Sequence, residues 1–397
     1  MRVHFLGIGG SGASAAAAIA ETQGFEVTGC DLEPNNEFTT QFKPSQLFKG
    51  HAPKHIKNID ILAVTPAIYS LDPDNPELVA AKKHRIPIMT WQEFLGKYLT
   101  KDKFVIAVAG THGKTTTTTM IASMLEDGGL DPTVVIGAIV PKWRANYKVG
   151  KSKYFVVEAD EYNDNFLSLH TDISVVTNIE YDHPEYFKDF KAYQESFDKF
   201  KSKSKKIIDQ PNPKLINFAL AIPGEFNILN ASLVYQVGLL LKINPEKIKE
   251  SLSNYTGISR RFEYLGDFKG AKIYTDFGHH PTEIKTTMEA AREKFPKSRI
   301  WLIFEPHMFT RTKAFFNDFV KIFREIPIDK IIITDIYQSR EADKGLVTSK
   351  QLANAAGKPY IAKDKLNNYL EKSLKENDIV FFMGAGDMDK IAKKFIS

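Results

Sequence analysis

Two glycine-rich turns are the parts of this chain whose residue types and spacing most directly specify chemistry. Gly110-Thr111-His112-Gly113-Lys114-Thr115 lies between an apolar run, Phe104–Ala109, and a helical stretch, Thr115–Leu125. In such a turn the backbone amides cradle phosphates, a lysine screens the β/γ charge, and a threonine hydroxyl ligates Mg²⁺. Lys114 and Thr115 take the last two roles, with Gly110, Thr111, Gly113 and Thr116 around the nucleotide. The turn is shorter than the usual GxxxxGK[ST], because Val108 stands at the first glycine position. His112, inside it, is placed to reach a second substrate. Gly7-Ile8-Gly9-Gly10-Ser11-Gly12 follows the run Val3–Leu6, and Asp31 comes 19 residues after Gly12. That is GxGxxG with its acidic partner: amides approach a pyrophosphate at the positive end of a helix, and the carboxylate receives ribose or base donors. The fingerprint does not separate NAD from another nucleotide diphosphate, and a ligand-free turn is the plain alternative.

Carboxylates for a phosphate-bound metal should come from strand ends. Glu158-Ala159-Asp160-Glu161 ends one predicted strand and Asn178-Ile179-Glu180-Tyr181-Asp182-His183 the next. Asp276-Phe277-Gly278-His279-His280-Pro281 again joins a strand to a helix. A buried, hydrogen-bonded histidine pair is the simple reading there; zinc is disfavoured because adjacent histidines diverge and no thiolate is near in sequence. Glu305-Pro306-His307-Met308-Phe309-Thr310-Arg311 ends a further strand, and Arg311 has the fork geometry to hold a carboxylate. His51 and His55 are separated by Pro53, which argues against a helical metal pair and for a surface loop.

The elements that must position these residues alternate between β-branched or aromatic runs and helical stretches, the pattern of parallel sheets with crossover helices. Predicted strands are Val3–Leu6, Glu26–Thr28, Ile61–Val64, Ile86–Met89, Phe104–Ala109, Thr133–Ile136, Tyr154–Glu158, Ile173–Thr177, Ile273–Phe277, Arg299–Phe304, Lys330–Thr334 and Ile379–Met383. Seams near Thr100–Lys103 and Tyr255–Ser259 divide the chain into 1–101, 102–256 and 257–397. Lys199–Pro213, basic and proline-bearing, reads as a solvated loop or else a phosphate-binding patch. Over 397 residues the net charge is only +5, which gives no case for nucleic acid. One cysteine rules out an internal disulfide and a cysteine-built zinc module, and points to a reducing, cytoplasmic setting. No run approaches the roughly 18 apolar residues that membrane insertion needs.

In order, HFLGIGGSG, AVAGTHGKTTTT, VVEADEYNDNFL, VVTNIEYDH, PGEFNILNAS, GISRRFEYLG, DFGHHPTEI and FEPHMFTRT resemble the Mur ligase family, ATP-dependent amide-forming enzymes of peptidoglycan precursor synthesis. The resemblance spans nearly the whole chain. It implies an α/β fold of three domains: an N-terminal Rossmann-like UDP-sugar domain, a central P-loop ATPase domain and a C-terminal Rossmann-like ligase domain. It implies ATP and Mg²⁺ as cofactors, and UDP-N-acetylmuramate and L-alanine as substrates of a monomer or weak homodimer. The sugar carboxylate would attack the γ-phosphate to give an acyl phosphate, which the amine of L-alanine then opens.

By motif, Gly9, Gly10, Ser11, Gly12 and Asp31 would hold the sugar diphosphate, with Thr65 and Ala67 on a turn touching the UDP-sugar. Lys114 and Thr115 would bind ATP phosphates and Mg²⁺, and Glu158 and His183 a second Mg²⁺. Asn227 and Asn230 would serve the adenine side, Arg261 and Asp276 the phosphate and hinge region, and His279, His307 and Arg311 the amino-acid pocket. Phe277 stands where the family leads one to expect tyrosine. Only 44 positions separate His183 from Asn227, so the resemblance implies a shortened central domain with a complete phosphate site. Two other readings share these motifs: a ligase that recycles a tripeptide onto the same sugar, and a non-catalytic UDP-sugar/ATP sensor. A nicotinamide dehydrogenase rests on GxGxxG and Asp31 alone.

Overall fold

The computed structural model describes every residue of the chain except Arg340. Three sheets follow one another along the sequence. The first contains β1 (Arg2–Leu6), β2 (Glu26–Asp31), β3 (Leu47–Lys49), β4 (Ile61–Val64) and β5 (Ile88–Thr90), in the order β3-β2-β1-β4-β5 and parallel throughout. The second contains β6 (Phe104–Ala109), β7 (Thr133–Val140), β8 (Ala145–Lys148), β9 (Tyr154–Glu158), β10 (Thr171–Val176) and β11 (Ser204–Ile208), in the order β11-β10-β6-β9-β7-β8. The third contains β12 (Glu263–Phe268), β13 (Ala271–Asp276), β14 (Ile300–Phe304), β15 (Lys330–Ile333) and β16 (Ile379–Met383), in the order β12-β13-β16-β14-β15. Among the described residues only β7–β8 and β12–β13 pair antiparallel. The chain divides into two compact units: Met1–Asp182 with Asp189–Ala219 and Leu229–Tyr255, and His183–Lys188 with Leu220–Ile228 and Thr256–Ser397.

Central strands are apolar on both faces, as sheets covered on both sides require. Val105–Ala109 of β6 and all of β14 and β16 are buried. The first helix, α1 (Ser11–Thr22), buries eight consecutive residues, Ala13–Ala20, nearly all alanine. Alanine favours helix and adds almost no thickness, so the helix lies close against its neighbours. A Cβ at Gly12 would sit 2.2 Å from the Trp91 ring. A second helix, α2 (Pro76–His84), carries Pro76 in its first turn and is capped by the Asn75 side chain. The helix after the phosphate turn, α3 (Lys114–Asp127), opens with five threonines, which are weak helix formers. Two of their hydroxyls are satisfied locally: Thr118 and Thr119 each donate to the carbonyl four residues back, at 2.8 Å.

Lys199–Pro213 is not a solvated loop along its length. Its start closes the amphipathic helix α4 (Phe190–Ser202), which buries Tyr193, Phe197 and Phe200. It then forms β11, paired parallel to β10 with Ile173 opposite Lys206. The lysines hid this strand from hydropathy, because β11 lies at the sheet edge and exposes Lys205 and Lys206. Charge on an edge strand discourages pairing with another chain. Strands β3, β8 and β12, also at edges, were likewise not predicted, and β5 begins two residues later than expected.

Candidate active site

In the first sheet β1 is central, with β2 on one side and β4 on the other, so the strand order reverses beside its C-terminal end. Open α/β sheets bind ligands at such a switch point, and the Gly7–Gly12 turn lies there. Gly7 has φ +88°, and a Cβ on it would overlap Thr65 at 2.5 Å. The amides of Gly7 and Ile8 donate to the Cys30 carbonyl, at 2.8 and 3.2 Å. Gly9 N–H donates to Asp31 Oδ2 at 3.0 Å. Gly9, Asp31 and Thr65 therefore gather as the sequence reading expects. Gly10 precedes α1, which Ser11 and Gly12 begin, and Ala67 precedes the short helical turn Ile68–Leu71.

The phosphate turn joins β6 to α3. Gly110 has φ +138°, and a Cβ there would come within 2.0 Å of Thr177 Oγ1. Alanine at 110 would meet both backbone strain, about 1–3 kcal/mol, and that overlap. Gly110→Ala is expected to lower stability in urea unfolding and to weaken binding of a non-hydrolysable ATP analogue in calorimetry. Lys114 Nζ donates to Gly110 O at 2.5 Å and Thr111 O at 3.2 Å, and lies 2.8 Å from Glu161 Oε2. Burial pulls the Lys114 ammonium down, but Glu161, with Asp160 and Glu158, outweighs it and holds the pKa above the ordinary lysine value. Thr115 Oγ1 donates to Glu158 Oε1 at 2.9 Å, and Gly137 N–H to Glu158 Oε2 at 2.8 Å. Thr116 is buried in the same first helical turn.

Strand β10 continues into a turn that braces the loop. Thr111 Oγ1 donates to Glu180 O at 2.7 Å, and His112 N–H to Asn178 Oδ1 at 3.0 Å. The His112 ring lies 3.1 Å from Glu180 Oε2. Asn230 packs against the turn so closely that a Cβ on Gly113 would come within 2.8 Å of its amide. Asn227 falls in the other unit and donates to Pro223 O at 2.6 Å.

That second unit also holds His183, whose Nδ1 lies 3.2 Å from Glu185 Oε1 and 3.5 Å from Arg311 Nη2. Arg311 is buried and its Nη1 meets His307 Nδ1 at 3.2 Å. Burial alone would raise the Glu185 carboxyl, but His183 and Arg311 bring it down to about 2. Glu185 was not singled out from sequence, although it lies only two residues beyond His183. The His279 and His307 rings lie near each other, tilted by 57° with centroids 5.3 Å apart.

Asp276 ends β13 and organises the loop around it, accepting from Phe262 N–H at 2.8 Å and Gly278 N–H at 2.7 Å. Burial holds its carboxyl above the ordinary range, opposed by Arg261. Phe277 fills its position with a ring that the Arg260 and Arg261 guanidinium groups cover at 4.7 and 5.2 Å, a use of the aromatic face that needs no hydroxyl. Arg261 also reaches Glu283, 3.5 Å away. Glu283 accepts from the amides of His279 and His280, capping the helix Pro281–Lys294.

Two residues before His307, Glu305 is fully buried against Lys363, with Asp387 beside both. Burial, then Asp387, push its carboxyl up to about 8 against the pull of Lys363. The folded protein thus keeps a proton that the unfolded chain releases near 4.5. The associated stability is complete below that value and is lost as pH rises through about 8. The thermal midpoint is expected to fall as pH rises from about 4.5 to about 8, and Glu305→Gln to flatten that slope; scanning calorimetry across pH checks both.

Three α/β sheets, one behind a diphosphate turn and one behind a phosphate loop, have counterparts in one group of nucleotide-dependent enzymes. Family models match along nearly the whole sequence: "Mur ligase family, catalytic domain" over 2–103, "Mur ligase middle domain" over 108–208, and "Mur ligase, glutamate ligase domain" over 260–386. The chain belongs to the Mur ligase family. It is similar to the UDP-N-acetylmuramate–L-alanine ligase of Alkaliphilus metalliredigens, 34% identical with 100% of this chain and 97% of that protein covered. The protein of that name from Acetivibrio thermocellus is 36% identical over 99% and 95%. A crystal structure of UDP-N-acetylmuramate-alanine ligase from Thermotoga maritima superposes with TM-score 0.83 at 26% identity, covering 100% of this chain and 98% of that one. A murein peptide ligase from Psychrobacter arcticus shares the fold at TM-score 0.70 and 21% identity. Among the described residues no helix is long and apolar enough to cross a membrane.

Proposed function

We infer that this chain is an ATP-dependent ligase that joins L-alanine to UDP-N-acetylmuramate. What carries the reading is the match, along the full chain, to relatives bearing that activity in their names. The intact Lys114–Glu161 and Thr115–Glu158 pairs support it. Residues 1–101 would bind the UDP-sugar, 102–256 ATP and 257–397 the amino acid. The alignment to the Alkaliphilus relative runs over 452 positions against 397 residues here. We place the missing stretch between His183 and Asn227.

A carboxylate attacking a polyphosphate brings like charges together, so the residues serve mainly to position and to screen. Lys114 would leave Glu161 for the β/γ-phosphates, while the first-turn amides of α3 would donate to the remaining oxygens. Thr115 and Glu158 present oxygens 2.9 Å apart beside the loop, the hard donor set that suits Mg²⁺. Bound there, the ion would neutralise phosphate charge, with Thr115 holding it; Glu158 and His183 would serve a second one. Arg311 would grip the carboxylate of L-alanine, with His279 and His307 near its amine. Released phosphate, followed by a coupled assay, should require UDP-N-acetylmuramate, L-alanine, ATP and Mg²⁺ together. Turnover with a tripeptide or another amino acid in place of alanine would overturn the assignment.

A further inference from the structure

His51 and His55 do not form a simple surface loop. The 3-10 turn Pro53–Ile56 folds the His55 ring inward, leaving its side chain 6% exposed, stacked on Phe48 at 4.6 Å. It meets three side chains from separate elements of the first sheet: His4 on β1, Cys30 on β2 and Glu77 on α2. One donor atom from each of these four residues lies within 4.8 Å of all the others. His55 Nδ1 is 2.8 Å from Glu77 Oε1, Cys30 Sγ is 3.1 Å from Glu77 Oε2, and His4 Nε2 is 3.4 Å from Glu77 Oε2.

We propose that His4, Cys30, His55 and Glu77 form a binding site for a thiophilic divalent cation, of which Zn²⁺ is the best match, beneath the sugar-diphosphate turn. Zinc takes four ligands at about 2.0–2.3 Å, so a tetrahedral set has neighbouring donors roughly 3–4 Å apart. The three separations to Glu77 are 2.8–3.4 Å and the remaining ones lie within 4.8 Å. A thiolate, a carboxylate and two neutral imidazoles carry two negative charges, which one divalent cation cancels, and a buried cluster must be neutral. Sulfur and imidazole donors select zinc over Mg²⁺, which demands oxygens.

The surroundings orient the donors. Thr28 Oγ1 lies 2.8 Å from His4 Nδ1, turning Nε2 into the cluster, where it has no hydrogen-bond partner although the side chain is fully buried. His51 Nδ1 lies 3.2 Å from Cys30 Sγ, placed to donate to a thiolate. Ala52 N–H donates to Glu77 Oε1 at 3.0 Å. Such contacts around the ligands fix ring orientation and raise affinity. The turn at 51–55, with Pro53 and Lys54 exposed, supplies the way in. Because the Cys30 carbonyl accepts the Gly7 and Ile8 amides, a cation on Cys30 and His4 would tie together the two strand ends that carry the diphosphate turn and Asp31.

Protein purified under reducing conditions without chelator is expected to contain one zinc per chain by elemental analysis. Replacing zinc with Co²⁺ should give a near-ultraviolet thiolate-to-cobalt band with visible bands of tetrahedral intensity, undiminished by excess Mg²⁺. Cys30→Ser should remove the near-ultraviolet band, and His55→Gln, on the half-buried turn, should weaken Zn²⁺ binding at least about tenfold. Wild-type protein that shows neither a thiolate band nor a rise in thermal midpoint with excess Co²⁺ or Zn²⁺ would overturn the proposal. It would leave Glu77 as the centre of a hydrogen-bonded network alone. None of these readings depends on ligase turnover.

Discussion

Lys114→Ala is expected to abolish ATP-driven phosphate release, lowering kcat by at least about 10³-fold. Transfer of a phosphoryl group is catalysed chiefly by fixed positive charge and positioning. The same substitution strands Glu161, whose side chain is 1% exposed and whose carboxylate lies 2.8 Å from the ammonium. Removing one partner of a buried ion pair typically costs about 3–5 kcal/mol, so Lys114→Ala should also unfold at lower urea. The two consequences separate in the double variant. Lys114→Ala with Glu161→Gln should regain most of the stability and none of the activity. If the double variant recovered turnover, Lys114 would be a structural residue and the phosphate assignment would fail. Urea titration alongside the coupled phosphate assay measures both.

Arg311→Lys should raise the KM for L-alanine by about 10–100-fold while changing kcat much less. A charged, two-pronged hydrogen bond contributes about 1.5–3 kcal/mol, and lysine retains the charge without the planar fork. Arg311 is suited to this test because it is already fixed in place: it is buried, flanked by His307 and His183, and its charge is felt by Glu185. Steady-state kinetics with the amino acid varied and the other substrates saturating give the split. An unchanged KM for L-alanine would assign Arg311 to holding the two imidazoles instead.

Much of this architecture can be read from apolar runs. Central strands such as Phe104–Ala109 and Ile379–Met383 are buried on both faces and therefore hydrophobic without interruption. The strands that escaped prediction all lie at edges, where one side meets water and hydropathy carries no signal. β11, with Ser-Lys-Lys before Ile-Ile, is the clearest case. Phosphate and diphosphate turns were legible because their glycines answer to backbone geometry: no other residue fits Gly110 at φ +138° beside Thr177. Partners brought together from afar were not. Glu161 as the counter-charge of Lys114 and Glu305 with Lys363 depend on how strands are ordered, which spacing along the chain does not encode. The His4–Cys30–His55–Glu77 cluster is the extreme example, since its four residues come from three strands' worth of intervening chain and share no motif.

The alanine row of α1 has a consequence for which positions can change over evolutionary time. The small side chains of Ala13–Ala20, six of the eight alanine, set how closely the helix lies to its neighbours, and hence how deep the Gly7–Gly12 turn sits. A larger side chain at any of them would push the helix outward and carry the turn's amides with it. Selection on sugar-nucleotide affinity would then fall on residues that chemistry alone would call inert. The helix would tolerate substitution on its exposed end, at Glu21 and Thr22, and almost nowhere else.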